Sequence, residues 1–215
     1  MRQVALVLDF DGTVMREDVG NAICDQFAPS TWRDVNDRYL AGRLSIFEAQ
    51  EQMWGLVSAT ETQIVSFLKT LQRRHGFRGL LARATAVSAP VVIASGGFEW
   101  YIRRLLHAEL PLIHTIFANT LHFEHEYRLR PEFPHLGILG CERCAICKAK
   151  ILHNLRRSLG PHGEIVFVGD GASDQCAVMH ADRVYTVKDS HLERYCREHD
   201  IMHESFESFD SVDLR

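Results

Sequence analysis

Four short, nearly unbroken apolar runs stand out along the 215-residue chain, at 3–9, 90–94, 164–168 and 183–187. Each stops at acidic, basic or small polar residues. Runs of this length without polar alternation predict strands buried on both faces. The segments between them have helical spacing. Residues 98–110 place Phe98, Tyr101, Ile102, Leu105 and Leu106 on one stripe. Residues 144–160 carry Ile151, Leu152, Leu155 and Leu159 in helical register and end in Gly160. Residues 173–181 open on Ser173, a residue type suited to capping a helix. Polar and apolar positions alternate over 117–135, which predicts an antiparallel hairpin. The stretch from 15 to 80 is different: four helical segments, separated by Pro29, Gly42 and Gly55, with no strand pattern. Together these predict an α/β fold, a doubly wound, mostly parallel sheet built from residues 1–14 and 81–215, with a small helical insert over 15–80.

Composition narrows the functional classes. Apolar residues make up 46% and charged residues 24%, as in ordinary globular proteins. The net charge is −4 and no basic block exists, which argues against nucleic acid as a partner. No apolar stretch reaches the roughly 18 residues of a membrane span. Met1-Arg2-Gln3 runs directly into the first strand without the apolar segment of a signal peptide, so a cytoplasmic protein is expected, as monomer or homodimer.

The chemistry lies where the strands stop. Asp9 and Asp11 follow the first run, Ser95-Gly96-Gly97 the second, and Asp170 with Asp174 the third. Ligands of open parallel sheets bind outside the carboxyl ends of the strands. If these three are adjacent, four carboxylates gather at one edge and require a cation. Mg²⁺, a hard ion that takes oxygen ligands, fits that need. Asp9 at the strand tip is the expected nucleophile towards phosphorus. Asp11, two residues on, is placed to protonate the leaving oxygen and later to activate water. Asp170, with Asp9, is the expected metal ligand, and Asp174 supports the metal directly or through water. Ser95 and the adjacent amides, at Gly96, Gly97 and the start of the next helix, are expected to bind phosphoryl oxygens. A cation should complete the set, and Lys148 in "CKAKIL" is preferred over Lys150, helix phase deciding between them.

"DFDGT" at 9–13, "ASGG" at 94–97, Lys148 and "GDGASD" at 169–174 resemble, in order and spacing, the four motifs of the haloacid dehalogenase-like superfamily. The helical insert after the first motif is similar to the cap of its phosphoserine-phosphatase-like branch. The resemblance implies a Mg²⁺-dependent phosphatase with a phospho-aspartate intermediate, and adds the backbone carbonyl of Asp11 as a metal ligand. Within the branch, residues 27–56 and 134–155 resemble the methionine-salvage phosphatases, which act on 2-hydroxy-3-keto-5-methylthiopentenyl-1-phosphate. Phosphoserine, phosphoethanolamine/phosphocholine and pyridoxal-phosphate phosphatases are alternatives from the same branch. Asp18 sits near the acidic cap position of the phosphoserine enzymes and is either a substrate-binding residue or a solvated first-turn acid. Residues 48–54 contain no basic side chain to grip a substrate carboxylate. Met53 and Trp54 there are either cap core or contacts for an apolar tail.

Three features leave other readings open. Cys141, Cys144 and Cys147 are spaced for zinc, with His135 or His153 as a fourth ligand, but also suit a redox role or plain reduced thiols. A phosphotransferase would share the whole site and differ only in the acceptor. A non-catalytic binding module would lack one of these groups, and none is lacking.

Overall fold

The structure, a computed structural model, describes residues 3–125, 127–136 and 144–214. Strand β1 (Val4–Leu8) is buried at every position. It is followed by α1 (Val19–Phe27), α2 (Trp32–Leu40), α3 (Ile46–Gly55) and α4 (Glu61–Leu68). Next come α5 (Phe77–Ala86), β2 (Val91–Phe98), α6 (Glu99–Leu105), β3 (Thr115–His125) and β4 (Arg128–Glu132). The chain continues with α7 (Lys148–Leu159), β5 (Glu164–Gly169), α8 (Gln175–Val178), β6 (Arg183–Val187), α9 (His191–Glu198) and β7 (Glu204–Phe206).

The sheet runs in the order β4-β3-β2-β1-β5-β6-β7. All pairings are parallel except β3 with β4. The expected hairpin is therefore present, and the first half of β3 also joins the sheet beside β2. Side chains alternate between faces along a strand. Leu6 and Leu8 accordingly point into one apolar cluster, shared with α5, α6 and the helices after β1. Val7 points into the other, shared with α7, α8 and α9. This is the doubly wound architecture expected from the four apolar runs.

The local departures have physical causes. The predicted helix 144–160 begins only at Lys148, because Cys147 is extended and caps it without a side-chain bond; Gly160 ends it at φ 73°. Ser173 is not a helix cap. It lies in a 3-10 turn, Ala172–Asp174, and α8 starts one residue later with Asp174 in the capping position. The sequence boundary at residue 80 falls inside α5, whose Phe77 packs on Phe209 at 5.6 Å between ring centroids.

The segments entering and leaving α1–α4 run side by side as a short antiparallel stem. Met15 bridges Arg73. The Arg16 amide donates to the Gln72 carbonyl and the Arg74 amide to that of Val14, both at 2.9 Å. Within the insert, Ser45 and Thr60 form capping boxes with Glu48 and Gln63, which fixes where α3 and α4 begin.

Candidate active site

β1 is the central strand, and its two neighbours are β2 and β5. The three polar strand ends therefore meet. The Asp9 amide still donates to the Val168 carbonyl at 2.9 Å, so Asp9 is fixed by the last rung of the β1–β5 ladder. After Phe10 the chain turns through Gly12 at φ 75°. A Cβ on Gly12 would strike the Asp170 carboxylate, so both the turn and the close approach demand glycine. The Thr13 hydroxyl then donates to Asp170 Oδ1 at 2.6 Å, tying the first motif to the fourth.

β2 bulges where it meets the site. Between the pairs Ala94–Phe117 and Phe98–Asn119 it advances four residues against two on β3. Ser95, Gly96 and Gly97 are thus displaced from the ladder, and bulges of this kind re-aim backbone groups next to active sites. Asn119, buried in β3, donates to the Gly96 carbonyl at 2.7 Å and holds the bulge in shape. The Gly97 amide is turned onto Ser95 Oγ at 2.9 Å.

Lys148, the first residue of α7, is fully buried. Its ammonium donates to Asp9 Oδ1 at 2.6 Å and also pairs with Asp174 Oδ1. Lys150 is exposed, so helix phase selects Lys148. The second oxygen of Asp174 accepts from the amides of Asp170, at 3.0 Å, and Gly171, at 2.9 Å. Asp174 therefore shapes the loop that presents Asp170.

The charges do not balance. Carboxylate oxygens of Asp9, Asp170 and Asp174 lie within 4.8 Å of one another, and among the described residues this is the group of acids, thiols and imidazoles close enough to share an ion. One ammonium faces three carboxylates. Burial pushes Asp9 well above the ordinary carboxylate range; Lys148 opposes this, while Asp174 and Asp170 add to it. Burial likewise raises Asp170, to about 6, with the Asp174 charge adding and the Thr13 hydroxyl opposing. An all-oxygen donor set with excess negative charge fits a hard divalent cation, and Asp9, Asp170 and Asp174 are the side chains that could hold it.

Asp11 has a separate set of partners. Its Oδ1 accepts from the Val19 amide at 3.0 Å. Its Oδ2 accepts from Ser95 Oγ at 3.0 Å and from Tyr101 Oη at 2.9 Å. Burial first, then the charge of nearby Asp18, raises it to about 7 against these three donors. Asp18 itself is exposed and caps α1, accepting from the Asn21 amide at 2.8 Å. Met53 and Trp54 are buried, and the Trp54 ring meets Phe98 edge-on at 4.9 Å, which brings the end of α3 against the bulged strand.

Cys141 lies outside the described residues. The other two cysteines of the spaced trio part company: Cys147 is the buried cap residue of α7, while the Cys144 side chain is hydrogen-bonded to Cys176.

Two groups at the site had no sequence motif to announce them. Tyr101 read only as part of an apolar stripe. Arg74, on the return segment of the stem, donates from Nε to the Thr13 carbonyl at 2.9 Å and from Nη2 to that of Gly12 at 2.7 Å. Arg74→Ala is expected to destabilise the protein by about 2 kcal/mol, because two charge-assisted bonds are lost. A lowered urea midpoint with unchanged slope would report it; an unchanged midpoint would mean that the stem does not brace this loop.

Comparison with known proteins agrees with this geometry. Residues 6–178 match the model of the haloacid dehalogenase-like hydrolases. A 2-hydroxy-3-keto-5-methylthiopentenyl-1-phosphate phosphatase of Geobacillus thermodenitrificans (strain NG80-2) is 35% identical over 98% of this chain and 94% of its own. The like-named protein of Geobacillus kaustophilus (strain HTA426) is 33% identical over the same shares. Among solved structures, a phosphoserine phosphatase in a phospho-aspartyl intermediate analogue form superposes with a TM-score of 0.75 at 15% identity, covering 99% of this chain and 98% of that one, a likeness of fold. No helix among the described residues is long and apolar enough to cross a membrane. With four motifs gathered at one sheet edge and the family model spanning most of the sequence, the chain belongs to the haloacid dehalogenase-like hydrolases.

Proposed function

We propose that the protein is a Mg²⁺-dependent phosphomonoester phosphatase that acts on 2-hydroxy-3-keto-5-methylthiopentenyl-1-phosphate through a phospho-aspartate on Asp9. The observation that carries the catalytic part is the Lys148–Asp9 contact at the tip of β1, flanked by the β2 bulge and the Asp170 loop. Whole-chain similarity to phosphatases named for that substrate supports the choice of substrate.

The chain's own groups take the following roles. Asp9 attacks phosphorus, and Lys148 holds its carboxylate in place while neutralising charge on the transferring group. Ser95 and the amides of Gly96 and Gly97 bind phosphoryl oxygens. Asp11 gives its proton to the leaving oxygen and then takes one from the water that cleaves the phospho-aspartate. Asp9, Asp170, Asp174 and the Asp11 carbonyl would hold Mg²⁺, which when bound would supply positive charge to offset the repulsion between carboxylate and phosphate. Helices α1–α4 serve as a cap over this edge. The absence of basic residues from α3 disfavours an amino-acid head, whose carboxylate would need one, while Met53 and Trp54 are packed in the core.

A panel of phosphate monoesters tests the substrate. With Mg²⁺ present, release from the methylthio compound should exceed that from phosphoserine, phosphoethanolamine and pyridoxal phosphate by at least 10²-fold, about 2.7 kcal/mol of discrimination. Comparable slow release from all four would remove this reading of the cap. EDTA should stop turnover and Mg²⁺ should restore it; full activity in EDTA would remove the metal from the scheme.

A further inference from the structure

The two oxygens of Asp11 have unlike neighbours. Oδ1 accepts from the Val19 amide at the start of α1, and Oδ2 from the hydroxyls of Ser95 and Tyr101. A backbone amide can only donate, so Oδ1 is an acceptor in every state. A hydroxyl can rotate and either donate or accept. When Asp11 carries a proton, that proton therefore sits on Oδ2, between two groups able to accept it.

Ser95 belongs to the bulge expected to bind phosphoryl oxygens. A substrate that recruits Ser95 takes it away from Asp11, which leaves the Tyr101 hydroxyl on Oδ2. We propose that Tyr101 is a positioning residue for proton transfer: it keeps Oδ2 of Asp11 aimed while Ser95 turns to the phosphoryl group. This rests on the reading of Asp11 as the acid given above.

The surroundings are built for that contact. Tyr101 is only 1% exposed. Its ring stacks on Phe10, with centroids 6.1 Å apart and planes at 30°, and meets Phe98 at 6.2 Å and 74°. Both neighbours flank catalytic motifs, so the ring is locked to the elements it must register. Gly97 completes the fit, because a Cβ there would overlap the Tyr101 hydroxyl and approach Asp11 Oδ2. The bare backbone of the bulge is what lets hydroxyl and carboxylate meet.

In the step concerned, a bond forms from an Asp9 oxygen to phosphorus as the bond from phosphorus to the leaving oxygen breaks. The proton on Asp11 Oδ2 passes to that leaving oxygen. An alkoxide needs the proton and p-nitrophenolate does not, so two probe substrates separate aim from fold.

The experiment measures kcat/KM with Mg²⁺ for β-glycerophosphate and p-nitrophenyl phosphate, in the wild type, Tyr101→Phe and Asp11→Asn. The phenylalanine keeps the ring and its packing. Tyr101→Phe should lose about 10-fold or more on β-glycerophosphate and stay within about 3-fold on p-nitrophenyl phosphate. Asp11→Asn should lose more on β-glycerophosphate; because Asp11 is also the base that cleaves the phospho-aspartate, this variant is read in the single-turnover burst of released alcohol or p-nitrophenol, and its fold by its thermal midpoint. Retained aryl turnover shows that Tyr101→Phe is folded. If Asp11→Asn is selective but Tyr101→Phe loses both substrates alike, or neither, the positioning role is overturned while the reading of Asp11 stands. If Asp11→Asn handles β-glycerophosphate as well as the wild type does, the reading of Asp11 falls, and this inference with it.

Discussion

Asp9→Asn is expected to abolish phosphate release, by about 10⁴-fold or more, because no other group takes the place of a covalent nucleophile. The fold should survive. Asp9 is buried, and its pKa is raised on folding, by burial foremost. An acid whose folded pKa exceeds its unfolded value favours the folded state when protonated, so stability falls as pH rises through that interval. Neutral asparagine escapes that penalty, although it weakens the contact with Lys148. Without metal, the thermal midpoint of the variant at neutral pH should therefore be no lower than that of the wild type. Adding Mg²⁺ should raise the wild-type midpoint by mass action and the variant's by less, a readout independent of turnover. Turnover within about ten-fold of wild type, or 1.4 kcal/mol, would take the nucleophile away from Asp9. An equal Mg²⁺ response would take the metal away from its carboxylate.

The site was legible because its signals sit at strand ends. A run such as Val4–Leu8, too short for a helix and cut off by an acid, reads as a strand buried on both faces, so its first polar residue marks a sheet edge, where ligands of such sheets bind. Lys148 required one further physical argument, the phase of α7, and that phase was sound although the helix starts four residues after 144. What stayed hidden had no pattern of its own. Tyr101 is apolar in its ring and polar only at one atom, so an amphipathic stripe absorbs it, and its partner Asp11 is 90 residues away. Arg74 looks like one of several exposed arginines until the stem brings it to the Gly12 and Thr13 carbonyls. Ser173 had the composition of a cap, but Asp174 is drawn back onto the amides of Asp170 and Gly171, and the turn tightens to 3-10. Strand β7 has three residues and takes its register from β6, not from any alternation of its own.

Lys148→Ala should be the most damaging substitution for fold and function together. The ammonium is buried and joined to Asp9 and Asp174. Burial alone would lower its pKa, but the two carboxylates outweigh burial and raise it above the ordinary value of 10.5. A lysine with a raised folded pKa contributes stability that is fully present below its unfolded pKa, and so throughout the neutral range. Removing one partner of a buried ion pair leaves the other uncompensated, a loss of about 3–5 kcal/mol. Turnover should fall as well, by about 10²–10³-fold, since a preorganised cation next to the transferring group is lost. Lys150→Ala is the comparator: that side chain is exposed, and its loss should lie within about 0.5 kcal/mol. The sign of the coupling is a sharper test. Asp9→Asn removes one of the carboxylates that Lys148→Ala strands, so it should raise the denaturant midpoint more in the Lys148→Ala background than in the wild type. If its effect is the same in both backgrounds, Lys148 does not work through Asp9. If Lys150→Ala is the more harmful change, the cation at this edge is not Lys148. A larger gain from Asp9→Asn in the Lys148→Ala background, in a double variant as inactive as Asp9→Asn, would fit a lysine that at once keeps the buried acids together and holds the nucleophile at the tip of β1.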